Sequence, residues 1–136
     1  MNEHGFSKSL RTKMHKVDPS IFWWKINDAY AGGTPDIFIE GVHRDIWCEA
    51  KYIKELPKRD TTMIDFTNTN QYLSKLQQEW LIRRHHKRGD TLVAVGHPDG
   101  CLLLWGLSWQ TPMNRVSILN ESMNLSDSIA RIRAAL

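Results

Sequence analysis

Asp36, Glu49 and Lys51 are the residues of this chain whose types and spacing could carry a reaction. Glu49 and Lys51 stand two positions apart, so on a strand their side chains leave the same face. Asp36 precedes them across Gly41-Val-His-Arg44, which reads as a hairpin connection. A loop of 41 to 44 sets Asp36 directly opposite Glu49, and a loop of 41 and 42 leaves the two as diagonal neighbours roughly 7 Å apart. Either arrangement suits a single bridging cation. Two hard carboxylates with coordination positions to spare for water and phosphate meet the needs of magnesium, with manganese able to substitute, whereas thiolates or imidazoles would indicate zinc. Lys51 then points towards an attacking water or a phosphate, where an ammonium offsets the charge of a phosphorane. Singly, each of these features is as well explained by a solvated strand with alternating charges; their joint order and parity favour a site.

Such a site needs strands to carry it. Asp36 to Glu40 and Asp45 to Tyr52 read as two of them, with Ile37, Ile39, Ile46, Cys48 and Ala50 on one face and Asp36, Phe38, Trp47, Glu49 and Lys51 on the other. Upstream, Phe6, Leu10, Met14 and Val17 recur at helical spacing. Pro19 and Ser20 end that helix, Ile21 to Ile26 has strand composition, and Ala31-Gly-Gly-Thr34 forms a glycine loop. Residues 53 to 71 read as a long excursion outside the sheet. Leu73, Leu76, Trp80 and Leu81 mark a second helix to about Lys87, with Gly89 as its stop. Thr91 to Val95 and Cys101 to Trp105 form a closing hairpin around His97-Pro-Asp-Gly100. A C-terminal helix capped by Asn124 or Ser126 presents Leu125, Ile129, Ile132 and Leu136 to the core or to a partner subunit. The order helix, three strands, helix, two strands predicts an α/β domain with a central mixed sheet flanked by helices and a C-terminal helix. We expect one domain over 1–136, with a core at about 2–107 and an extension at 108–136.

Gly33-Thr-Pro-Asp36 followed by Trp47-Cys-Glu-Ala-Lys51 resembles the Pro-Asp…Asp/Glu-x-Lys signature of the PD-(D/E)XK nuclease superfamily. Three further segments resemble its virus-type replication-repair (VRR-NUC) group, which includes Holliday-junction resolvases: Asn2-Glu-x-x-Phe6, Trp24-Lys-Ile-Asn-Asp28 and Leu73-Ser-x-x-Gln-x-x-Trp80. The resemblance covers about residues 2 to 96. It implies a restriction-endonuclease-like fold and Mg²⁺- or Mn²⁺-dependent hydrolysis of DNA, with Asp36 and Glu49 as metal ligands and Lys51 as a catalytic group. It further implies Glu3 as the acidic residue of the first helix that completes the metal site, and Gln77 as a residue lining it. Periodicity agrees, because Glu3 falls near the stripe of Phe6, Leu10 and Met14, and Gln77 lies between Leu73 and Trp80, where an amide needs a partner. Branched DNA cut by a homodimer is the substrate and assembly that the analogy favours. A homing- or restriction-like endonuclease or a nickase would use the same residues, and a non-catalytic DNA-binding module is the reading from another class.

Candidate DNA contacts are Lys25, Lys54, Lys58, Arg59, Arg83, Arg84 and Lys87. Lys54 to Gln71 is longer than in compact members of the group, as a recognition loop or an ordinary solvated one. The run Arg83 to Arg88 grips DNA or complements a helix C-terminus. Zinc at His85 and His86 is disfavoured, since no matching ligand cluster exists.

Composition sets the outer bounds. With 136 residues and 41% hydrophobic content, the chain can bury a core without disulfides or structural metal. A net charge of +3 suits a phosphate-bearing partner, and no small-molecule cofactor is expected. Cys48 and Cys101 sit in apolar runs and read as reduced core residues. Trp47 and Trp80 read as core or site-wall residues, and Trp105 and Trp109 as packing in preference to a dimer surface. No apolar run reaches the length of a membrane span, and Met1 to Lys16 lacks that of a signal peptide, so the expected location is the cytoplasm, the host's if the gene is phage-borne.

Overall fold

The computed structural model describes residues 1–27 and 32–136. Asp28 and Ala31, which belong to motifs quoted above, lie outside the described residues. Helix α1 (Glu3–Val17) opens on Asn2, whose side chain accepts the Gly5 N–H at 2.8 Å. Strands β1 (Trp23–Lys25), β2 (Ile37–Ile39) and β3 (Ile46–Tyr52) follow, then the two-residue β4 (Met63–Ile64) and helix α2 (Lys75–Arg88). The chain continues through β5 (Thr91–His97), β6 (Gly100–Trp105), β7 (Met113–Asn114), α3 (Arg115–Glu121) and α4 (Leu125–Ala134).

The main sheet runs β1-β2-β3-β5-β6, antiparallel throughout except where β3 meets β5. That parallel step requires a crossover, and the stretch containing α2 supplies it. β5 is buried along its whole length, because a central strand covered on both faces needs apolar residues at both parities. The α/β class, the mixed central sheet, its flanking helices and the C-terminal helix are as the element order predicts.

Two apolar layers cover the sheet. On one face Ile37, Ile39, Ile46, Cys48 and Ala50 pack with Phe6, Leu10 and Met14 of α1 and Ile129 and Ile132 of α4. The C-terminal helix therefore belongs to the core, and both cysteines are free and buried. The second layer draws on distant parts of the chain. The 53–71 excursion and the 108–136 extension meet each other in it: β4 pairs with β7, and Ile64, Phe66, Trp109, Met113 and Ile118 join Leu81, Val93 and Val95 in one cluster. The excursion leaves the main sheet, as its Pro57 and polar content suggest, yet its few apolar residues return to bury Phe66 and Trp109 completely. No helix among the described residues is long and apolar enough to cross a membrane.

Of the glycines with positive φ, two bear on the site. Gly89 ends α2 in the left-handed conformation (φ 65°), as its place after Arg88 predicts. Gly33 has φ 86°, and a Cβ there would lie 2.3 Å from the Leu76 carbonyl oxygen. Gly33 is thereby pressed against the first turn of α2, three residues before Asp36. Gly33→Ala is expected to destabilise the protein by more than about 1 kcal/mol, through both strain and clash. Denaturant unfolding checks this, and an unchanged midpoint would count against the close approach.

Candidate active site

The register resolves the hairpin question. Ile37 pairs with Cys48 and Phe38 with Trp47, so one step further along the ladder Asp36 falls opposite Glu49. Of the two arrangements that spacing allows, the direct one occurs. The loop is held by the Gly41 N–H, which donates to the Asp45 carboxylate at 3.2 Å.

Helix α1 brings Glu3 to the same place from its first turn. One carboxylate oxygen from each of Glu3, Asp36 and Glu49 lies within 4.8 Å of the others. Lys51 Nζ stands 3.9 Å from an oxygen of Glu3 and 3.9 Å from one of Glu49, on a side chain only 12% exposed. Glu3 is half-exposed, Asp36 partly covered, and Glu49 buried at 1% exposure. One lysine therefore serves two of the three acids.

Gln77 completes the group, and its orientation has a local cause. Ser74 caps α2 and forms a capping box: its hydroxyl accepts the Gln77 N–H at 3.2 Å, while its own N–H donates to Gln77 Oε1 at 2.9 Å. With the amide oxygen engaged by the backbone, Nε2 is left to donate to Glu49 Oε1 at 3.0 Å. The two explanations of a glutamine on the apolar stripe, a backbone partner and a site partner, both apply to this part-buried side chain. The Ser-x-x-Gln spacing that signals the box is legible in the sequence, but the direction in which it aims Nε2 depends on where β3 lies. Gln77→Ala is expected to lower any metal-dependent activity about 10- to 100-fold, as loss of a residue that orients a ligand does. Gln77→Glu, which keeps the reach but repels Glu49, should lose at least as much; activity unaffected in both would remove Gln77 from the site.

Electrostatics here are strained without a counter-ion. Burial pushes the Glu49 carboxyl up to about 9, with the charge of Asp36 adding to it and Lys51 opposing. Glu3 is also raised, by burial first and by Asp36, against Lys51 and Lys25. Glu49 Oε2 is buried with no hydrogen-bond partner. An orphaned carboxylate oxygen within an all-oxygen set is the situation that a hard divalent cation relieves, so these residues fit Mg²⁺ or Mn²⁺. The N-terminal turns of α1 and α2, contributing Glu3 and Gln77, add partial positive charge that favours anions.

The other candidates are dispersed. Lys25 is partly covered and close enough to act on Glu3, whereas Lys54, Lys58, Arg59, Arg83 and Lys87 are exposed on their own elements. Arg84 differs from them: its guanidinium is bidentate to Asp90 at 2.8 and 3.0 Å and lies over the Trp47 ring. Its charge is already paired within the protein, which makes it a structural clamp between α2 and the start of β5.

The fold has a solved counterpart. Hjc, a Holliday junction resolvase from the archaeal hyperthermophile Archaeoglobus fulgidus, matches over 93% of this chain and 98% of its own, with a TM-score of 0.59 and 15% sequence identity. At that identity the likeness is one of fold. No family model and no curated protein matches the sequence.

Proposed function

We propose that this chain is a metal-dependent DNA nuclease of the PD-(D/E)XK type, nearest in pattern to the VRR-NUC group, which cuts branched DNA during recombination, repair or phage DNA processing. The observation that carries this reading is the meeting of Glu3, Asp36 and Glu49 from three separate elements, with Lys51 between two of them. The fold shared with a resolvase supports the choice of substrate.

Glu3, Asp36 and Glu49 would hold Mg²⁺ or Mn²⁺, which when bound polarises a phosphate oxygen and acidifies water. Gln77 keeps Glu49 turned into the site by its single hydrogen bond. The Lys51 ammonium holds the attacking water and offsets the negative charge that builds on the phosphorus oxygens as the water adds. Of the three acids Glu3 is the most exposed, so DNA approaches from its side. Basic side chains at Lys25, Lys54, Lys58, Arg59, Arg83 and Lys87 follow the phosphate backbone as point charges. A homodimer would set two such sites on opposite strands about its two-fold axis. Residues 1–136 act in this reading as one domain, and the cytoplasm is its place of work.

A panel of a four-way junction, linear duplex and single-stranded DNA, incubated with Mg²⁺, Mn²⁺ or EDTA, tests the proposal. Junction cutting that requires the metal is expected. Equal cutting of junction and duplex by a sedimenting monomer would defeat the resolvase version and favour a restriction-like enzyme or nickase. Binding without any cutting would favour a non-catalytic module.

A further inference from the structure

The sheet face that carries Asp36 and Glu49 also carries aromatic rings that hydrolysis leaves unexplained. Phe38 alternates with Ile37 beyond Asp36, and Trp47 with Cys48 before Glu49, so the pleat sets both rings on the carboxylate side. Cross-strand pairing aligns Trp24 with Phe38 and Phe38 with Trp47. Ring centroids are 4.9 Å apart for Phe38 and Trp47, 5.2 Å for Trp47 and Trp80, and 6.3 Å for Phe22 and Phe38. At the free edge of β1 this row runs out into solvent, with Phe22 53% and Trp24 52% exposed.

Adjacent large aromatic rings left open in this way mark a binding surface, and the neighbouring flank of α2 indicates its partner. Leu76, Trp80, Arg83 and Lys87 follow helical spacing along that flank. The Arg83 guanidinium lies 5.3 Å from the Trp80 ring centroid, and Arg83 and Lys87 are both exposed. Glu79, also exposed, lies one turn before Arg83 at the edge of this flank, which carries two cations against that one acid. Aromatic faces beside cations suit a nucleic-acid strand with unpaired bases, which stack on rings while their phosphates follow the charges. A second copy of the chain would instead lay Arg83 and Lys87 near their own images about a two-fold axis, a like-charge contact.

Resting on the nuclease reading above, we infer that Phe22, Trp24 and Phe38 form a stacking platform for unpaired bases beside the phosphate to be cut. The substrate class is thereby DNA with a single-stranded arm or an opened branch point. α2 runs from Gln77, beside Glu49, to Lys87, so a strand following its flank from the Lys87 end arrives at the carboxylates.

Binding in EDTA, read by fluorescence anisotropy of labelled DNA, tests this independently of cutting. A fully paired duplex is compared with the same duplex carrying a single-stranded arm. The wild-type chain should prefer the arm, and Trp24→Ala should lose about tenfold in affinity for it while binding the paired duplex unchanged. Trp24→Phe should keep most of the preference, and Arg83→Ala should weaken arm binding with a shallower salt dependence. Absence of arm preference in the wild type, or equal losses on both DNAs, would overturn the platform. So would a Trp24→Ala variant that turns a sedimenting dimer into a monomer yet keeps its arm preference, for then a second copy covers this face. Trp24-dependent arm preference in a protein that cuts nothing with Mg²⁺ or Mn²⁺ would uphold the platform and remove the nuclease reading.

Discussion

Replacing Lys51 by alanine is expected to abolish DNA cleavage while the chain remains folded. Lys51 Nζ is shared between Glu3 and Glu49 at 3.9 Å each, and no other cation lies within ion-pair distance of these acids among the described residues. Its removal leaves nothing on the protein side to hold the water or to offset charge on the phosphorus oxygens, a loss of about 100-fold or more in rate. Folding should survive, because β3 is held by its pairing with β2 and β5 and by Cys48 and Ala50 beneath it, none of which needs the ammonium. Circular dichroism and thermal unfolding report the fold, and cleavage of a labelled junction reports the activity. A folded Lys51→Ala variant with full activity would sink the role given to this residue.

The second large effect is on stability, and it depends on pH and metal together. Glu49 has an ordinary value of 4.5 and is pushed up to about 9 in the folded chain. A carboxyl whose pKa is raised by folding binds its proton more tightly in the native state, so its favourable contribution is complete below about 4.5 and is lost as pH rises towards 9. The metal-free protein should therefore lose stability across that window, by about 1.4 kcal/mol per pH unit for a single group. Mg²⁺ requires the ionised carboxylate, so its stabilising effect should grow as pH rises. Glu49→Gln removes the titration: stability in EDTA becomes flatter with pH, the Mg²⁺ effect disappears, and cleavage is lost. Thermal unfolding at pH 5 and pH 9, with EDTA or Mg²⁺, checks all three. A wild-type chain whose stability tracks that of the glutamine variant at both pH values would show that Glu49 is not strained by its surroundings.

Much of the architecture is legible because period and face are local properties. Strand alternation in Ile37–Ile39 and Ile46–Tyr52 assigns Ile37, Cys48 and Ala50 to one face and Glu49 and Lys51 to the other, and α1 and α4 pack on the first of these. The helical spacing of Phe6, Leu10 and Met14 likewise names the buried side of α1. Where spacing fails, the reason is that partners come from far along the chain. Nothing near Phe66 announces Trp109 or Met113, and the polar residues of 53–71 conceal the few side chains that matter to packing. Arg84 looks like any member of the basic run until Asp90 is seen to hold it.

Asp36, Glu49 and Lys51 were determined as a unit by residue type and by a period of two, which no packing can alter once the strands form. Tertiary structure decided what parity cannot: which hairpin register occurs, that the N-terminal turn of α1 delivers Glu3 to the same point, and that a capping box turns Gln77 towards Glu49. It also decided how deeply Glu49 is buried, and with it the strain that a bound cation would relieve. Burial depends on every element packed around a residue, so that strain belongs to the assembled fold and to no segment of it.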